Sequence, residues 1–265
     1  MRERTLQFEK WEGLGNDFVL VDDPAASIGP EAARALCDRR FGVGADGVLV
    51  VDRRGPLPRM IVWNADGSRP EMCGNGLRCV AAHLAAGAAS AESALVVATD
   101  AGEKACAVTA ASADRFDVTV EMGAARARGE LTFQVDGREH RFLDVDVGNP
   151  HAITFAEYDE TAVDRVGPAV AVAPAGGTNV EFCRIEAERI AVVVWERGVG
   201  RTLACGTGAC AVAAAACDTG RASFGVPIRV ALPGGELTIT VTAGTRALRM
   251  RGPARRVFTG QVELA

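Results

Sequence analysis

An internal repeat is the feature that most constrains how this chain can fold. Trp63 is followed ten residues later by Cys73, and Trp195 is followed ten residues later by Cys205, an offset of 132 between the copies. In both copies the cysteine opens a Cys-Gly-x-Gly turn that leads into an alanine-rich run. Self-similarity at a fixed spacing indicates repeated structural units. The chain is therefore predicted to hold two copies of one unit.

Two further pairs extend the repeat at an offset of 133. Gly15-Asn16 is matched by Gly148-Asn149, and Gly102-Glu103 is matched by Gly235-Glu236. The chain has 265 residues, so each copy fills about half of it. A length of 265 alone allows one large domain or two smaller ones. The repeat favours two.

The local sequence patterns predict an α+β fold in which strands outnumber helices. Short β-rich runs bounded by glycine, proline or aspartate mark strands: Val48–Asp52, Met60–Trp63, Ala94–Ala98, Phe116–Glu121, Ile190–Trp195 and Leu237–Val241. Three helices are predicted, at Pro30–Arg39, Asn75–Ala88 and Thr207–Cys217. The last two are rich in alanine, the best helix former, and each begins directly after a Cys-Gly pair.

Composition argues against several classes of protein. Hydrophobic residues make up 48% and the net charge is −5, which argues against disorder and against a nucleic-acid or anionic-membrane partner. The first ten residues carry charges of both signs, unlike a signal peptide. No apolar run approaches the roughly 18–20 residues of a membrane span. We expect a cytoplasmic protein.

Lysine and cysteine usage narrows the chemistry. Lysine occurs only at Lys10 and Lys104, and neither lies in a site motif, so Schiff-base chemistry with pyridoxal phosphate has few candidate residues. Eight cysteines in 265 residues are too sparse for a disulfide scaffold. No short-spaced cysteine or histidine quartet predicts a zinc site. We therefore expect reduced thiols, no metal and no cofactor.

The two cysteines of the repeat stand where helices are predicted to begin. The first N–H groups of a helix have no internal partner and carry partial positive charge. A thiol there is expected to have a lowered pKa, and the same N–H groups can hold a carboxylate. Each unit is thus predicted to place a reactive sulfur, Cys73 or Cys205, beside an anion cradle.

Two equivalent thiols suit the inversion of a carbon that bears an acidic proton. A base removes the proton from one face, and an acid returns a proton to the other face. Thiol and thiolate are both accessible near neutral pH, so cysteine can serve in either role. Helix N-termini aimed at the α-carboxylate would stabilise the carbanion. The other cysteines are interpreted as packing residues, namely Cys37, Cys79, Cys106, Cys183, Cys210 and Cys217.

A series of short motifs adds a specific resemblance. In order these are Gly13-Leu14-Gly15-Asn16-Asp17-Phe18, Asn64-Ala65-Asp66-Gly67-Ser68, Met72-Cys73-Gly74-Asn75-Gly76-Leu77-Arg78-Cys79, Gly148-Asn149-Pro150-His151, Gly177-Thr178-Asn179-Val180, Glu196-Arg197-Gly198 and Ala204-Cys205-Gly206-Thr207-Gly208-Ala209. In these motifs the chain resembles the diaminopimelate epimerase family over nearly its whole length. The resemblance implies a cofactor-independent epimerase that interconverts LL- and meso-diaminopimelate on the route to lysine and peptidoglycan.

The resemblance also implies the fold and the domain limits. It predicts two pseudo-symmetric domains, each a curled β-sheet or barrel around a central helix. The first spans residues 1–122 and is completed by a last strand at 254–265, and the second spans residues 123–253. Enzymes of this family are often homodimers. The partner implied is a small dicarboxylic diamino acid.

Residue roles follow from the motif positions. Cys73 and Cys205 resemble the two acid/base thiols of the family. Backbone amides are expected to cradle the reacting α-carboxylate at Gly74, Asn75, Gly206 and Thr207. The amino and carboxylate groups at the two ends of the substrate are expected to be held by Asn16, Asn64, Asn149, Asn179, Glu196 and Arg197. His151 and Glu196 occupy positions that tune the thiols.

One departure and several alternatives accompany this interpretation. Some family members carry glutamine where this chain has Gly47, so any side-chain contact from that position is missing.

The runner-up is a two-cysteine racemase for proline, hydroxyproline or histidine, but Asn75 and Arg197 favour a diaminopimelate type. A thiol redox protein and an inactive binding module are further hypotheses; Cys-x-x-Cys is absent, and both thiols are present.

Overall fold

Strands dominate the fold of this chain in a computed structural model that describes residues 4–23, 28–88 and 90–264. The strands within these ranges are β1 (Arg4–Gly13), β2 (Asn16–Asp22), β3 (Gly47–Asp52), β4 (Arg59–Asn64), β5 (Glu92–Thr99), β6 (Gly102–Ser112), β7 (Arg115–Ala124), β8 (Arg126–Val135), β9 (Arg138–Asp146), β10 (Pro150–Thr154), β11 (Asn179–Ile185), β12 (Ile190–Glu196), β13 (Gly200–Thr202), β14 (Ile228–Leu232), β15 (Gly235–Val241) and β16 (Ala247–Leu264). The helices are α1 (Pro30–Cys37), α2 (Gly74–Ala85), α3 (Glu160–Val172) and α4 (Gly206–Asp218). All six strands predicted from the sequence are present, and the α+β class is confirmed. The first three residues of the N-terminal stretch that argues against a signal peptide lie outside the described residues.

The chain divides into two compact units. The first consists of the described parts of Met1–Val120 and Gly252–Ala265, and the second is Glu121–Arg251. The sequence places both transitions two residues later, after 122 and after 253. The boundary falls within β16, so residues 247–251 belong to the second unit and residues 252–264 belong to the first.

Both units use the same strand order. In the first, β16, β1, β2, β3, β4, β5, β6 and β7 are neighbours in that order, and only β2/β3 and β4/β5 are parallel. In the second the order is β8, β9, β10, β11, β12, β14, β15 and β16, and only β10/β11 and β12/β14 are parallel. Parallel neighbours need a crossover connection, and a helix lies in each one. The repeat in the sequence is thus a repeat of the whole unit.

The second helix of each unit lies inside the curl of its sheet. Helix α2 contacts β1 through β6, and α4 contacts β9, β10, β11, β14 and β15. Every residue of α4 from Gly208 to Cys217 is buried. A helix that is apolar on all sides has to be enclosed, and alanine lets the strands approach it. Helix α2 ends three residues before its predicted end, because Gly87 follows with a φ of +84°.

The sequence predicts no helix over Glu160–Val172, and the structure corrects this omission. Gly167-Pro168 lies in the middle of α3 and resembles a helix-breaking pair. The helix nevertheless forms because the Asp159 side chain caps it by accepting from the Ala162 N–H at 2.7 Å. A Cβ at Gly167 would lie 3.1 Å from the Trp195 ring. Glycine therefore lets α3 pack closely on the sheet.

None of the helices in the described part of the chain is long and apolar enough to cross a lipid bilayer.

A histidine between two carboxylates ties α2 to its sheet. His83 lies in the last turn of α2, where a cation is favoured by the helix dipole. Its Nδ1 is 2.8 Å from Glu9 Oε2, and its Nε2 is 2.9 Å from Asp22 Oδ2. Burial of the ring acts to lower its pKa, but hydrogen bonds and charges from Asp22 and Glu9 outweigh burial and raise the pKa to about 9.

This cluster predicts a loss of stability at alkaline pH. Since the folded pKa of His83 is above its ordinary value of 6.5, the stabilisation is complete below about pH 6.5 and disappears as the pH rises through about 9. Between about pH 7 and about pH 10, the wild-type chain should lose about 2–3 kcal/mol of unfolding free energy relative to His83→Gln. Urea titrations at both pH values measure the difference.

The matched control is His140→Gln, which removes a histidine of the second unit. It should keep the alkaline slope of the wild-type chain. Equal slopes for wild type and His83→Gln would contradict the assignment.

Candidate active site

The two cysteines of the repeat cap the two central helices. Cys73 is the N-cap of α2, and its Sγ accepts from the Gly76 N–H at 3.4 Å. Cys205 is the N-cap of α4, and its Sγ accepts from the Gly208 N–H at 3.4 Å. Both cysteines have extended backbone angles. The two sulfurs therefore make the same contact with the start of their helices, as the repeat predicts.

The second glycine of each Cys-Gly-x-Gly turn is required by close packing. A Cβ at Gly76 would lie 2.7 Å from Leu49 Cδ2, and a Cβ at Gly208 would lie 2.7 Å from Glu181 Oε1. Such distances force a neighbour to move. The glycines thus let the first turn of each central helix pack against the neighbouring strand.

In the first unit, an asparagine from β2 contacts the first turn of α2. Asn75 Nδ2 donates to Asn16 Oδ1 at 3.1 Å, and Asn16 Nδ2 donates to Asp46 Oδ2 at 2.8 Å. Asp46 also accepts from the Arg39 guanidinium at 2.9 Å. The carboxylate fixes which end of the Asn16 amide faces Asn75. Asp46 is a supporting residue that the sequence patterns missed.

Lys10 contacts the loop that leads into β3 and the start of β2. Its buried ammonium bonds the Gly44 carbonyl and lies 2.6 Å from Asp17 Oδ2. Asp17 also pairs with Arg39 at 2.6 Å. One of the two lysines, Lys10, therefore stabilises the loop that precedes β3.

Asn64 and Gly47 lie at the paired ends of β4 and β3. Asn64 Nδ2 donates to Ser68 Oγ at 2.9 Å across an exposed turn. A Cβ at Gly47 would lie 2.7 Å from the Trp63 carbonyl oxygen. A longer residue there, such as the glutamine of some relatives, would require a backbone shift in this chain.

The second unit repeats the asparagine contact with different residues. Asn149 Nδ2 donates to Thr207 Oγ1 at 3.3 Å, and Thr207 Oγ1 lies 3.6 Å from Cys205 Sγ. Asn149 corresponds to Asn16 in the repeat, and Thr207 corresponds to Asn75. In each unit an asparagine thus reaches the second residue after the cysteine.

Behind Asn149 lies a buried histidine–carboxylate pair. His151 Nε2 is 3.0 Å from Asn149 Oδ1, and His151 Nδ1 is 2.7 Å from Glu181 Oε1. The side chains of His151 and Glu181 have no exposed surface. Glu181 was missed from the sequence, although a carboxylate inside the buried run Val180–Cys183 is a usable signal.

Glu196, Arg197 and Asn179 meet at the end of β12. Glu196 Oε1 accepts from Thr202 Oγ1 at 2.6 Å. Asn179 Oδ1 accepts from the Arg197 N–H at 3.0 Å, and Asn179 Nδ2 donates to the Pro150 carbonyl at 3.4 Å. Asn179 therefore fixes the backbone that carries Arg197.

The Arg197 side chain lies along a glycine turn. Its Nη1 donates to the Gly176 carbonyl at 2.5 Å. Gly177 has a φ of +71°, and a Cβ there would lie 2.6 Å from Arg197 Cδ. The turn thus leaves space for the guanidinium stem and holds the guanidinium in place.

The charges around Cys205 oppose the expected acidity of its thiol. Burial raises its pKa well above the ordinary value, and the Glu196 and Glu181 carboxylates raise it further. Hydrogen bonds from Thr207 and from the Gly208 N–H act in the opposite direction but do not prevail. The prediction of a lowered pKa is wrong for Cys205, because enclosure by the sheet outweighs the helix dipole.

Glu196 shares this environment. Burial raises its pKa, although hydrogen bonds from Thr202 and from the Cys205 thiol act to lower it. The ionisation of Glu196 and that of Cys205 therefore influence each other.

The cysteines outside the two N-cap positions are buried. Burial raises the pKa of Cys37 to about 11 and that of Cys106 to about 12, and raises the pKa values of Cys79, Cys183 and Cys217 as well. Buried thiols with raised pKa values are inert, in keeping with their interpretation as packing residues.

Comparison with solved structures gives the class of fold. The crystal structure of a probable proline racemase from Agrobacterium radiobacter superimposes with a TM-score of 0.75 at 16% identity, covering 98% of this chain and 93% of that one. The fold is therefore the duplicated α+β architecture in which a curled sheet encloses a central helix.

Sequence comparison gives the family. A diaminopimelate epimerase family model matches residues 8–127 and 144–257. The chain is 39% identical to a diaminopimelate epimerase of Synechocystis sp., over 98% of this chain and 99% of that protein. It is 43% identical to a diaminopimelate epimerase of Desulforudis audaxviator, over 97% and 99% respectively. The chain belongs to the diaminopimelate epimerase family.

The site predicts how the Cys205 thiol responds to loss of one carboxylate. Glu196→Gln deletes a charge that raises the pKa of Cys205. The reaction of Cys205 with a small thiosulfonate, which forms a mixed disulfide and releases a sulfinate, should therefore begin at lower pH than in the wild-type chain. Peptide mass spectrometry after timed labelling measures the onset. Glu186→Gln removes one charge from the turn after β11 and should leave the onset unchanged. An unchanged onset in Glu196→Gln would show that this carboxylate does not act on the thiol.

Proposed function

We propose that this chain is a cofactor-independent epimerase that interconverts LL- and meso-diaminopimelate by a two-thiol mechanism, in the synthesis of lysine and peptidoglycan precursors. Membership of the family and the identity to named diaminopimelate epimerases over nearly the whole chain support the activity. The observation that carries the mechanism is the placement of one cysteine at the same N-cap position in each of two duplicated units.

In the proposed reaction, one thiolate takes the Cα proton and becomes a thiol. The electron pair of the broken C–H bond is left on Cα and is delocalised into the adjacent carboxylate. The second thiol then gives its proton to the opposite face of Cα and becomes a thiolate. Protons and charge balance over the step, and no oxidant or reductant is needed. General acid–base groups of this kind contribute about 10²–10⁴-fold each.

The charges around Cys205 support an assignment of the resting state. Because burial and two carboxylates raise its pKa, the thiol form of Cys205 is favoured before substrate binds. The enzyme form with a thiol at Cys205 uses Cys205 as the acid and Cys73 as the base. One turnover leaves the opposite protonation of the two cysteines, and this second form catalyses the reverse direction.

The first turns of the central helices supply the carboxylate cradle. The N–H groups at the start of a helix lack intrahelical acceptors and favour anions. Those of Gly74 and Asn75 in α2, and of Gly206 and Thr207 in α4, are the donors in this proposal. Such donors act where charge develops on the reacting carboxylate.

The far end of the substrate is assigned to Arg197. A guanidinium fork matches the two oxygens of a carboxylate, and the backbone of Arg197 is fixed by Asn179. The amino groups and remaining oxygens are assigned to Asn16, Asn64, Asn149 and Glu196. A second carboxylate is what distinguishes diaminopimelate from the single-carboxylate substrates of the runner-up hypothesis.

Three further parts complete the proposal. The family resemblance supports a homodimeric assembly. The sequence pattern of the first ten residues supports a cytoplasmic location, and the net charge of −5 supports the lack of a nucleic-acid partner.

Removal of either capping thiol tests the mechanism. Cys73→Ala and Cys205→Ala should each lower kcat for LL-diaminopimelate by at least about 10²–10⁴-fold, because each leaves one face of Cα without a proton carrier. Turnover is followed by chromatographic separation of the LL and meso forms. Cys217→Ala removes a buried thiol at the far end of α4 and should retain near wild-type turnover. Near wild-type turnover in Cys205→Ala would refute the two-thiol mechanism.

The glycine turn beside Arg197 gives a second test. Gly177→Ala places a methyl group 2.6 Å from Arg197 Cδ and 2.9 Å from the Ala171 carbonyl oxygen. Displacement of Arg197 should raise KM for diaminopimelate about 10-fold or more while changing kcat less, as expected when a binding contact is displaced. Urea unfolding of the variant measures the separate effect of the backbone contact on stability. Gly176→Ala is the matched control, since its φ of +82° carries the same strain but nothing lies within 4 Å of the added Cβ. Equal KM values for the two variants would contradict the role of Arg197.

A further inference from the structure

We propose that Glu181 is a positioning residue for the Cys205 thiol: it fixes the His151 ring, which sets the Asn149 amide, which holds the Thr207 hydroxyl beside Cys205. The proposal rests on the proposed epimerase function, in which Cys205 gives up and regains a proton. It adds a buried carboxylate, on a different strand from Glu196, to the groups that control this thiol.

The first step is the orientation of His151. An ionised carboxylate only accepts hydrogen bonds, so the nitrogen 2.7 Å from Glu181 Oε1, Nδ1, carries a proton. A histidine ring fixed through one nitrogen presents its other nitrogen in a defined direction. Here Nε2 points at Asn149 Oδ1, 3.0 Å away.

The second step is the orientation of the Asn149 amide. An amide oxygen accepts and an amide nitrogen donates. With Oδ1 accepting from His151 Nε2, Nδ2 faces Thr207 Oγ1 at 3.3 Å. The Thr207 oxygen is then an acceptor towards Asn149, so its own O–H is free to donate to Cys205 Sγ at 3.6 Å.

The result is a chain in which every donor from His151 Nε2 onward points towards the sulfur. A donor aimed at Sγ supports the thiolate that forms when Cys205 has given its proton to Cα. This effect opposes the direct action of the Glu181 and Glu196 charges, which raise the pKa of Cys205.

The placement of Glu181 is costly for a merely structural residue. Its side chain has no exposed surface, and Oε2 has no hydrogen-bond partner among the described residues. Burying an incompletely satisfied carboxylate destabilises a fold. The position also requires Gly208, because a Cβ there would lie 2.7 Å from Oε1. A buried carboxylate retained at this cost is expected at a functional site.

Several elements contribute charged or titratable groups that face Cys205. Glu181 comes from β11, His151 from β10, and Glu196 from the end of β12. Thr207 and the Gly208 N–H come from α4 itself. Among the carboxylates, Glu181 is the one that bonds His151, so its effect on the hydrogen-bonded chain can be separated from that of Glu196.

The kinetic test is Glu181→Gln assayed with LL-diaminopimelate. The variant keeps the size of the side chain but replaces a charged acceptor with a neutral amide, so the hydrogen bond that orients His151 becomes weaker. We expect kcat to fall by about 10- to 100-fold, the range for loss of a hydrogen bond to a charged group, with KM changed less than threefold. Glu186→Gln, with the same charge change on the turn after β11, should keep wild-type values. An unchanged kcat in Glu181→Gln would overturn the proposal while leaving the epimerase function in place.

The spectroscopic test does not depend on activity. Nitrogen-15 NMR of the histidine rings, assigned with His83→Gln and His140→Gln, should show a proton on His151 Nδ1 that is hydrogen-bonded to the Glu181 carboxylate. Glu181→Gln should shift the His151 ring signals, and Glu186→Gln should leave them in place. A His151 ring without a proton on Nδ1 in the wild-type chain, or with signals unchanged by Glu181→Gln, would overturn the proposal.

The two readouts separate the two hypotheses. If the wild-type chain does not epimerise diaminopimelate, the proposed function fails, and the NMR result alone decides whether Glu181 positions His151. If Glu181→Gln does not fold, as judged by urea unfolding, the NMR spectrum of the wild-type chain still decides, since a His151 ring without a proton on Nδ1 contradicts the arrangement.

Discussion

The N-cap of a buried helix is the constraint on which this site depends. A cysteine at that position has its sulfur held by the N–H of the third residue after it, at 3.4 Å in both units. The first N–H groups of a helix have no acceptor within the helix and favour an anion. Because each sheet curls around its helix, the sulfur and the N–H groups are kept at a fixed place by the core. The alanine-rich composition of the helices is the condition for that enclosure.

The two units share this geometry but have diverged around it. Arg78 of α2 is fully buried, and its Nε donates to the Pro253 carbonyl at 3.1 Å. The guanidinium thereby ties the C-terminal segment, which arrives from the far end of the sequence, to the first unit. The equivalent residue of α4 is Cys210, and the equivalent strand there, β8, is contiguous with its own unit.

The polar support of the two sites has also diverged. In the first unit Asn16 is oriented by the exposed carboxylate of Asp46, which pairs with Arg39. In the second unit Asn149 is oriented by His151 within a fully buried pair. A duplicated unit thus holds equivalent asparagines with different charge environments. This difference supports distinct resting protonation for two otherwise similar thiols.

Much of this arrangement could be predicted from the sequence, because the repeat is preserved at motif level. The offset between Cys73 and Cys205 predicted two units, and the Cys-Gly-x-Gly turns predicted the N-caps. Helix α3 could not be predicted, since Gly167-Pro168 resembles a break and only packing against Trp195 explains the glycine.

The residues that support the site could not be predicted from the sequence either. Glu181 and Asp46 act through contacts with residues about 30 positions away, which no local pattern reveals. The raised pKa of Cys205 depends on burial and on two carboxylates from separate strands, which only the fold brings together.

The central claim is that one thiol takes the Cα proton and another returns a proton to the opposite face. Turnover of LL-diaminopimelate in deuterium oxide tests it directly, with mass spectrometry of both epimers at early times. The account predicts that the meso product carries solvent deuterium at the inverted carbon from the first turnovers, while the unreacted LL form stays unlabelled. Retention of the original protium in the product, or equally fast labelling of the recovered LL form, would contradict it.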